Sequence, residues 1–207
     1  MSNPAAQSLS RRERQRADTR ERIFQAAVAE FLRAGYAEAQ IERIAEAAGV
    51  VRGTFYFHFP SKEHVLRELM ERRQAEIVQE MRSLRGSGAS LREVLARLVE
   101  AITQVHTDLE ASSLVREIMM MFVRARVEEA EPTERELGLL EELTHHVAEA
   151  AARGELRRDV EPDRMAAIVL TSVFGLNLAR RKLEGQGLAE FDLLLDLLLE
   201  GMGVKPA

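Results

Sequence analysis

Residues 49–62 read Gly-Val-Val-Arg-Gly-Thr-Phe-Tyr-Phe-His-Phe-Pro-Ser-Lys, and the reading of the whole chain turns on them. Gly49 supplies a turn and a short helix runs from about Val51 to Phe57. Pro60 cannot continue that helix, because proline lacks an amide proton and clashes with the preceding turn. Ser61 then caps a new helix, its hydroxyl accepting from a free amide of the first turn. So brief a helix is not stable alone in water, and Phe55 and Phe59 are the side chains expected to pack it. Yet it also carries Arg52, Thr54, Tyr56 and His58, whose polar groups suit phosphates and base edges. A short helix that needs packing and still reaches outward fits a recognition helix held on a helical scaffold. An aromatic core segment is the plainer alternative.

Outward from this stretch everything reads as helix, and no run alternates convincingly enough for a strand. Residues 1–17 are polar and Arg-rich with no apolar face, which predicts a disordered basic arm. Asp18 and Glu21 mark the start of a helix that buries Ile23, Phe24, Ala27, Val28, Phe31 and Leu32 and stops at Gly35. A second helix spans about Ile41 to Ala48, with Ile41, Ile44, Ala45 and Ala48 facing inward. The fourth, from Ser61 to about Leu84, is long and joins head to body. Gly86-Ser87-Gly88 then breaks the chain. Further helices are expected near 91–108 and 113–129, from the Thr133/Glu136 capping box to Gly154, from Pro162 to about Leu183, and over 189–202. The expectation is an all-α chain of about nine helices.

Composition narrows the function classes. The chain has 207 residues and no cysteine, which excludes disulfides, thiolate metal sites and a cysteine nucleophile. No apolar run approaches the roughly 18 residues of a membrane span. The N-terminus lacks the apolar stretch of a signal peptide, so a soluble cytoplasmic protein with no membrane partner is expected. The net charge of −5 is unevenly divided. Residues 1–73 hold 13 Lys+Arg against 10 Asp+Glu, and residues 74–207 hold 16 against 24. A basic head on an acidic body is the asymmetry expected when one end meets phosphates. Nucleotide-binding glycine loops, zinc-hydrolase pairs and Ser-His-Asp arrangements are absent from the sequence, so no enzyme and no cofactor are expected. His145 and His146 are adjacent and diverge by about 100° on a helix, which is not the spacing of a helical metal site.

Residues 18–78 resemble the DNA-binding domain of the tetracycline-repressor (TetR) family. The resemblance rests on Thr19-Arg20-Glu21-Arg22-Ile23, Ala26-Ala27, Phe31, Gly35-Tyr36, Ile44-Ala45, Ala48-Gly49-Val50, Gly53-Thr54-Phe55-Tyr56, His58-Phe59 and Ser61-Lys62-Glu63, in order and at matching spacing. It implies that helices two and three form a helix-turn-helix whose second helix enters the major groove of double-stranded DNA. Arg52, Gly53, Thr54 and Phe57 would face the groove, with Gly53 permitting close approach. Tyr56 and His58 would bond phosphate oxygens, and Lys62 would pair with backbone charge. The chain departs from the family where a hydroxyl residue is usual. It has Val51 at the start of the recognition helix, suited to a thymine methyl, and Ala39-Gln40 at the start of helix two, where Gln40 can still reach a phosphate.

Residues 79–207 match the family in length and architecture, which implies ligand binding and dimerisation there. The last two helices are rich in apolar residues, the terminal one nearly all round, so both its sides should be buried. Pairing with the same helices of a second chain would give a C2 four-helix bundle. Its expected seam is Val169, Val173, Leu176, Phe191, Leu194, Leu195 and Leu198, and such a dimer could read a palindromic operator. The ligand would be an apolar or amphipathic small molecule lined by His106, Met119, Phe122, Arg126, His146, Phe174 and Asn177. A repressor released by that ligand is the expected function. A module of the same fold that has lost DNA binding, and a regulator that activates or needs its ligand to bind, stay open.

Overall fold

The computed structural model describes residues 10–109, 134–157, 159–179 and 189–202, with the side chains of 103–109, 134–137, 177–179 and 202 left aside. Among these residues there are eight α-helices and no β-strand. They are α1 (Arg11–Ala34), α2 (Ile41–Ala47), α3 (Arg52–His58), α4 (Lys62–Ser83), α5 (Leu91–Leu109), α6 (Glu134–Ala152), α7 (Pro162–Ala179) and α8 (Ala189–Met202). The helix expected near 113–129 lies outside the described residues. No described helix is long and apolar enough to cross a membrane. The described residues up to Met70 form one compact unit; 71–108 and those from 134 onward form a second.

In the first unit, α1 begins seven residues before the expected start, so residues 11–17 of the predicted arm are helical. The reason is a closed capping box. The Ser10 hydroxyl accepts from the Glu13 amide at 3.2 Å, and the Glu13 carboxylate accepts from the Ser10 amide at 2.7 Å. Two free amides of the first turn are thus satisfied, and arginine itself is a good helix former. The α1 face carrying Ile23, Phe24, Ala27 and Phe31 is buried, as are Ile44 and Ala45 of α2, Phe55 of α3 and Val65, Leu66 and Leu69 of α4, and α2 packs on both α1 and α3. Leu32, expected on that face, is exposed.

The turn between α2 and α3 is a Schellman motif. The Gly49 amide donates to the Glu46 carbonyl at 3.0 Å and the Val50 amide to the Ala45 carbonyl at 2.9 Å. This geometry needs a left-handed residue, and Gly49 supplies it with φ +64°. Two otherwise unsatisfied carbonyls of α2 are thereby closed, and the chain is turned directly into α3.

The second unit has a separate core, including Met81, Leu95, Leu98, Leu143, Val147, Val169, Val173, Phe191 and Leu195. Within it α6 packs on α7, and α7 on α8. Glu142 of α6 is buried, and its carboxylate accepts from Arg85 Nε at 2.5 Å, Arg85 Nη2 at 2.7 Å and Arg82 Nε at 3.3 Å. Burial alone would raise its pKa; the two guanidiniums outweigh that and hold it below the usual carboxylate value. Its stabilising contribution is therefore present above the unfolded carboxylate pKa and lost as pH falls through the lower folded value.

At Gly49 an added Cβ would meet only Arg22 Nη1, at an ordinary 3.6 Å, so the cost of Gly49→Ala is backbone strain. Gly49→Ala is expected to lower unfolding free energy by about 1 kcal/mol. Gly53→Ala, with open space and no positive φ, should not destabilise. Denaturant unfolding of the two variants checks both values, and equal losses would contradict the assignment of strain to the turn.

Candidate nucleic-acid interface

Helix α3 has two sides of opposite character. Phe55 and the following Phe59 are fully buried, whereas Val51 is 73% and Phe57 66% exposed. Residues four apart share a helix face, so Arg52 with Tyr56 and Gly53 with Phe57 make one outward stripe, all of it exposed. Thr54 is half-buried beside it. Nothing lies within 4 Å of a Cβ placed on Gly53. The fold itself therefore does not require glycine there.

Two cations tie together the elements around this helix. Arg20 of α1 donates through Nη1 to the His58 carbonyl at 2.5 Å, pairs through Nη2 with Glu68 of α4, and lies 4.0 Å above the Phe59 ring. Lys62, at the start of α4, donates to the carbonyls of Tyr36 (2.8 Å), Ala37 (3.1 Å) and Ala39 (2.9 Å), with its nitrogen 5.1 Å from the Tyr36 ring centroid. An ammonium has three N–H donors, and all three are engaged. The ammonium thereby clamps the α1–α2 loop, a role the sequence reading had not assigned to it.

The other expected contact residues surround the outward stripe. His58 is half-buried, and burial, with Arg16 and Arg20 nearby, pushes its imidazole below the usual pKa. Phe57 packs edge-on against His58 at 5.1 Å and lies under the Arg16 guanidinium at 5.0 Å. Arg52 pairs with Glu42 of α2 at 2.5 Å and donates through Nη2 to the Tyr56 hydroxyl at 3.3 Å. Val51 and Gln40 occupy the N-cap positions of α3 and α2 without a side-chain cap bond. Glu30 of α1 accepts from the Gln40 amide and from Arg33 through both oxygens at 2.7 Å, and this pairing with Arg33 foremost lowers its pKa. The Gln40 side chain is left exposed. Arg16 and Glu42 were not among the residues expected at this surface, and Arg20 had no role assigned. The spacing of Arg12, Arg16 and Arg20 by four would have placed the arginines on one helix face, had residues 11–17 been read as helix.

Helices α2 and α3 thus form a helix-turn-helix with an exposed, partly aromatic second helix. The family model described as "Bacterial regulatory proteins, tetR family" matches residues 23–69. The regulator SrpR of Pseudomonas putida is 33% identical over 85 residues, 41% of this chain and 40% of that protein. The uncharacterised regulator TtgW, also of Pseudomonas putida, is 33% identical over 85 residues, 41% of this chain and 63% of its own. The match thus spans less than two thirds of either curated relative. Thermus thermophilus FadR, described as a TetR family transcriptional repressor and solved with lauroyl-CoA, is 30% identical, covering 91% of this chain and 97% of that one at a TM-score of 0.63. The chain belongs to the TetR family. In this TetR chain the matched segment runs from the α1 core residue Ile23 to Leu69 of α4 and contains both clamps' targets.

Outside that segment the expected site residues divide. His106, Met119, Phe122, Arg126 and Asn177 lie outside the described residues or side chains. His146 is buried, with Nε2 3.0 Å from the Met81 carbonyl and Nδ1 3.7 Å from the Glu149 carboxylate. It ties α6 to α4, a structural role the sequence reading had not assigned to it. Phe174 is half-buried against the core of the second unit. Of the expected dimer seam, Val169, Val173, Phe191 and Leu195 are buried within their own chain, and Leu176, Leu194 and Leu198 are half-buried against the same core. The exposed apolar side chains on α7 and α8 are instead Ile168 (55%), Leu193 (58%) and Leu197 (61%). Periodicity alone had not separated the sides of these helices that meet the chain's own core from those turned to solvent.

Because the Lys62 ammonium is the donor for three loop carbonyls, Lys62→Met is expected to lower unfolding free energy by about 2 kcal/mol, since charge-assisted bonds are lost and carbonyls left unpaired. Thermal and denaturant unfolding measure this. Unchanged stability together with weakened DNA binding would return Lys62 to the phosphate contacts.

Proposed function

We propose that this chain is a ligand-responsive, DNA-binding transcriptional regulator, a repressor that reads a palindromic operator as a homodimer and is released by an apolar or amphipathic small molecule. The observation that carries the reading is the outward stripe of α3. A helix whose inner side is fully satisfied exposes Val51, Tyr56 and Phe57 beside Arg52 and a glycine that the fold does not need. Aromatic and apolar side chains left in water on a rigid element call for a partner. A groove of DNA takes such a helix, with Arg52 at base edges, Val51 at a thymine methyl, and Tyr56 and His58 at phosphates. We place the protein in the cytoplasm, where its DNA partner is, and assign it no catalytic step.

For the second copy, the outward faces of α7 and α8 support the reading. Ile168, Leu193 and Leu197 are exposed apolar residues, and Gly175 stands exposed with open space around it. A two-fold axis beside such a face buries it against itself. Two recognition helices about 34 Å apart then match successive major grooves. The effector class draws on the lauroyl-CoA complex of Thermus FadR, an amphipathic thioester. Release requires the effector to prefer the form of the dimer that does not fit the operator. The unbroken helix α4 contributes residues to both units and is the natural carrier of that change.

The deciding experiment selects bound sequences from random duplex DNA with purified protein at stated salt. An enriched palindrome is expected; no enrichment, with and without added acyl thioester, overturns the reading. In sedimentation, the paired change Leu193→Asp and Leu197→Asp should give a folded monomer that has lost at least about 100-fold in operator affinity, since one half-site then binds alone. A dimer that survives both substitutions would move the seam elsewhere.

His58 supplies a pH test with a definite sign. Its folded pKa lies below the ordinary value through burial and the neighbouring Arg16 and Arg20. A phosphate oxygen at the imidazole would raise that pKa, so binding would take up a proton. Operator affinity is therefore expected to strengthen as pH falls from about 7.5 to about 6, and this dependence should vanish in His58→Gln. A pH profile identical in the two proteins would remove His58 from the phosphate contacts.

A further inference from the structure

We propose that Arg52 and Glu42 act as one unit that selects a guanine: Arg52 donates to O6 and N7 of the base, and Glu42 is the positioning residue that presents the guanidinium. The inference rests on the DNA-binding reading above and adds what that reading does not supply, a base and the residue that enforces it.

Glu42 is the anomaly that motivates it. It lies in the first turn of α2, and its carboxylate pairs with Arg52 Nη1 at 2.5 Å, with both side chains well exposed. An exposed ion pair adds little to stability, so the fold does not account for it. A carboxylate on a surface that meets phosphates also weakens attachment to any sequence. A residue that opposes non-specific binding and adds little to the fold has its place explained if it discriminates.

The geometry of Arg52 supplies the means. Its Nη1 is held by Glu42 of α2, its Nη2 by the Tyr56 hydroxyl one turn along α3, and the guanidinium carbon stands 5.6 Å from the Tyr56 ring centroid. An untethered arginine at this position would swing to whichever phosphate is nearest and read nothing. Tethered at both terminal nitrogens, it offers a fixed planar fork, and less rotamer freedom is lost on docking. A guanidinium carries five N–H donors, and guanine presents two acceptors in the major groove. One N–H given to Glu42 and one to Tyr56 leave enough for both. Gly53 beside Arg52 has no side chain to keep the fork from the groove floor.

The test measures binding of the wild type, Glu42→Ala, Glu42→Gln, Arg52→Ala and the double Glu42→Ala/Arg52→Ala variant. The probes are the selected operator, its versions carrying each other base at the candidate pair, and a random-sequence duplex, all at one salt concentration. For the wild type, one guanine per half-site is expected to be preferred by about tenfold or more, and Arg52→Ala should erase that preference. Glu42→Ala should reduce it at least about fivefold while binding the random duplex as tightly or more tightly, and Glu42→Gln, which keeps an acceptor for Nη1, should retain more of it. In the Arg52→Ala background, Glu42→Ala should change the preference no further. The inference is overturned if Glu42→Ala shifts affinity for all duplexes by one common factor, upward for mere charge removal or downward for a structural role. It is equally overturned if no base preference depends on Arg52. Failure of the wild type to select any sequence would instead sink the DNA-binding reading itself, and this inference with it.

Discussion

A helix of seven residues closes too few of its own hydrogen bonds to hold itself, so the direction of α3 is a property of its neighbours. Arg20 supplies the main attachment. Its guanidinium reaches the carbonyl of His58 at the end of α3, the carboxylate of Glu68 on α4 and the face of Phe59 from a single position on α1. A cation at a helix C-terminus also meets the negative end of the helix dipole. Phe55 and Phe59 complete the attachment by burial. The backbone that presents Arg52, Tyr56 and Phe57 to solvent takes its direction from these contacts.

The same contacts bear on how an acidic protein could carry the DNA-binding surface proposed above. Part of the first unit's positive charge is engaged internally: Lys62 by three loop carbonyls, Arg20 by Glu68, Arg33 by Glu30. What faces outward on α3 is one arginine, itself paired with Glu42, among aromatic and apolar groups. Such a surface gains little from phosphate attraction alone, which is the term common to all sequences. Its binding would depend on fit within the groove, and that favours discrimination over general affinity.

Much of the fold was legible because local chemistry wrote its boundaries. Gly35, Gly49 and Pro60 end or redirect helices for reasons that hold in any context, and Phe55 and Phe59 packed as their spacing required. The start of α1 was missed although Ser10 and Glu13 have capping-box spacing, because a run of arginines with no apolar face reads as solvated chain. The loop clamp made by Lys62 was not legible for a different reason. A lysine at a helix start beside a recognition helix has the same sequence signature whether its ammonium meets a phosphate or three carbonyls, and only the path of the α1–α2 loop distinguishes them. Glu42 carried no local signal at all, since its significance lies in a partner ten positions away on another helix.

The seam on α7 and α8 marks the limit of periodicity as a guide. When Phe191, Leu193, Leu194, Leu195, Leu197 and Leu198 follow closely on one helix, hydrophobicity says that more than one side is covered but not which side is covered by what. The fold settles half of that question by burying Phe191 and Leu195 in the chain's own core, leaving Leu193 and Leu197 in solvent. The outer half of α3 and the outer faces of α7 and α8 then share one signature. Each is an apolar stripe on an element whose inner side is satisfied, with a glycine that has open space above it, Gly53 in one case and Gly175 in the other. Neither glycine is required by its own backbone. Two surfaces left incomplete in the same way, one suited to a groove and one to its own copy, are what a chain needs if it works as half of a symmetric pair on DNA.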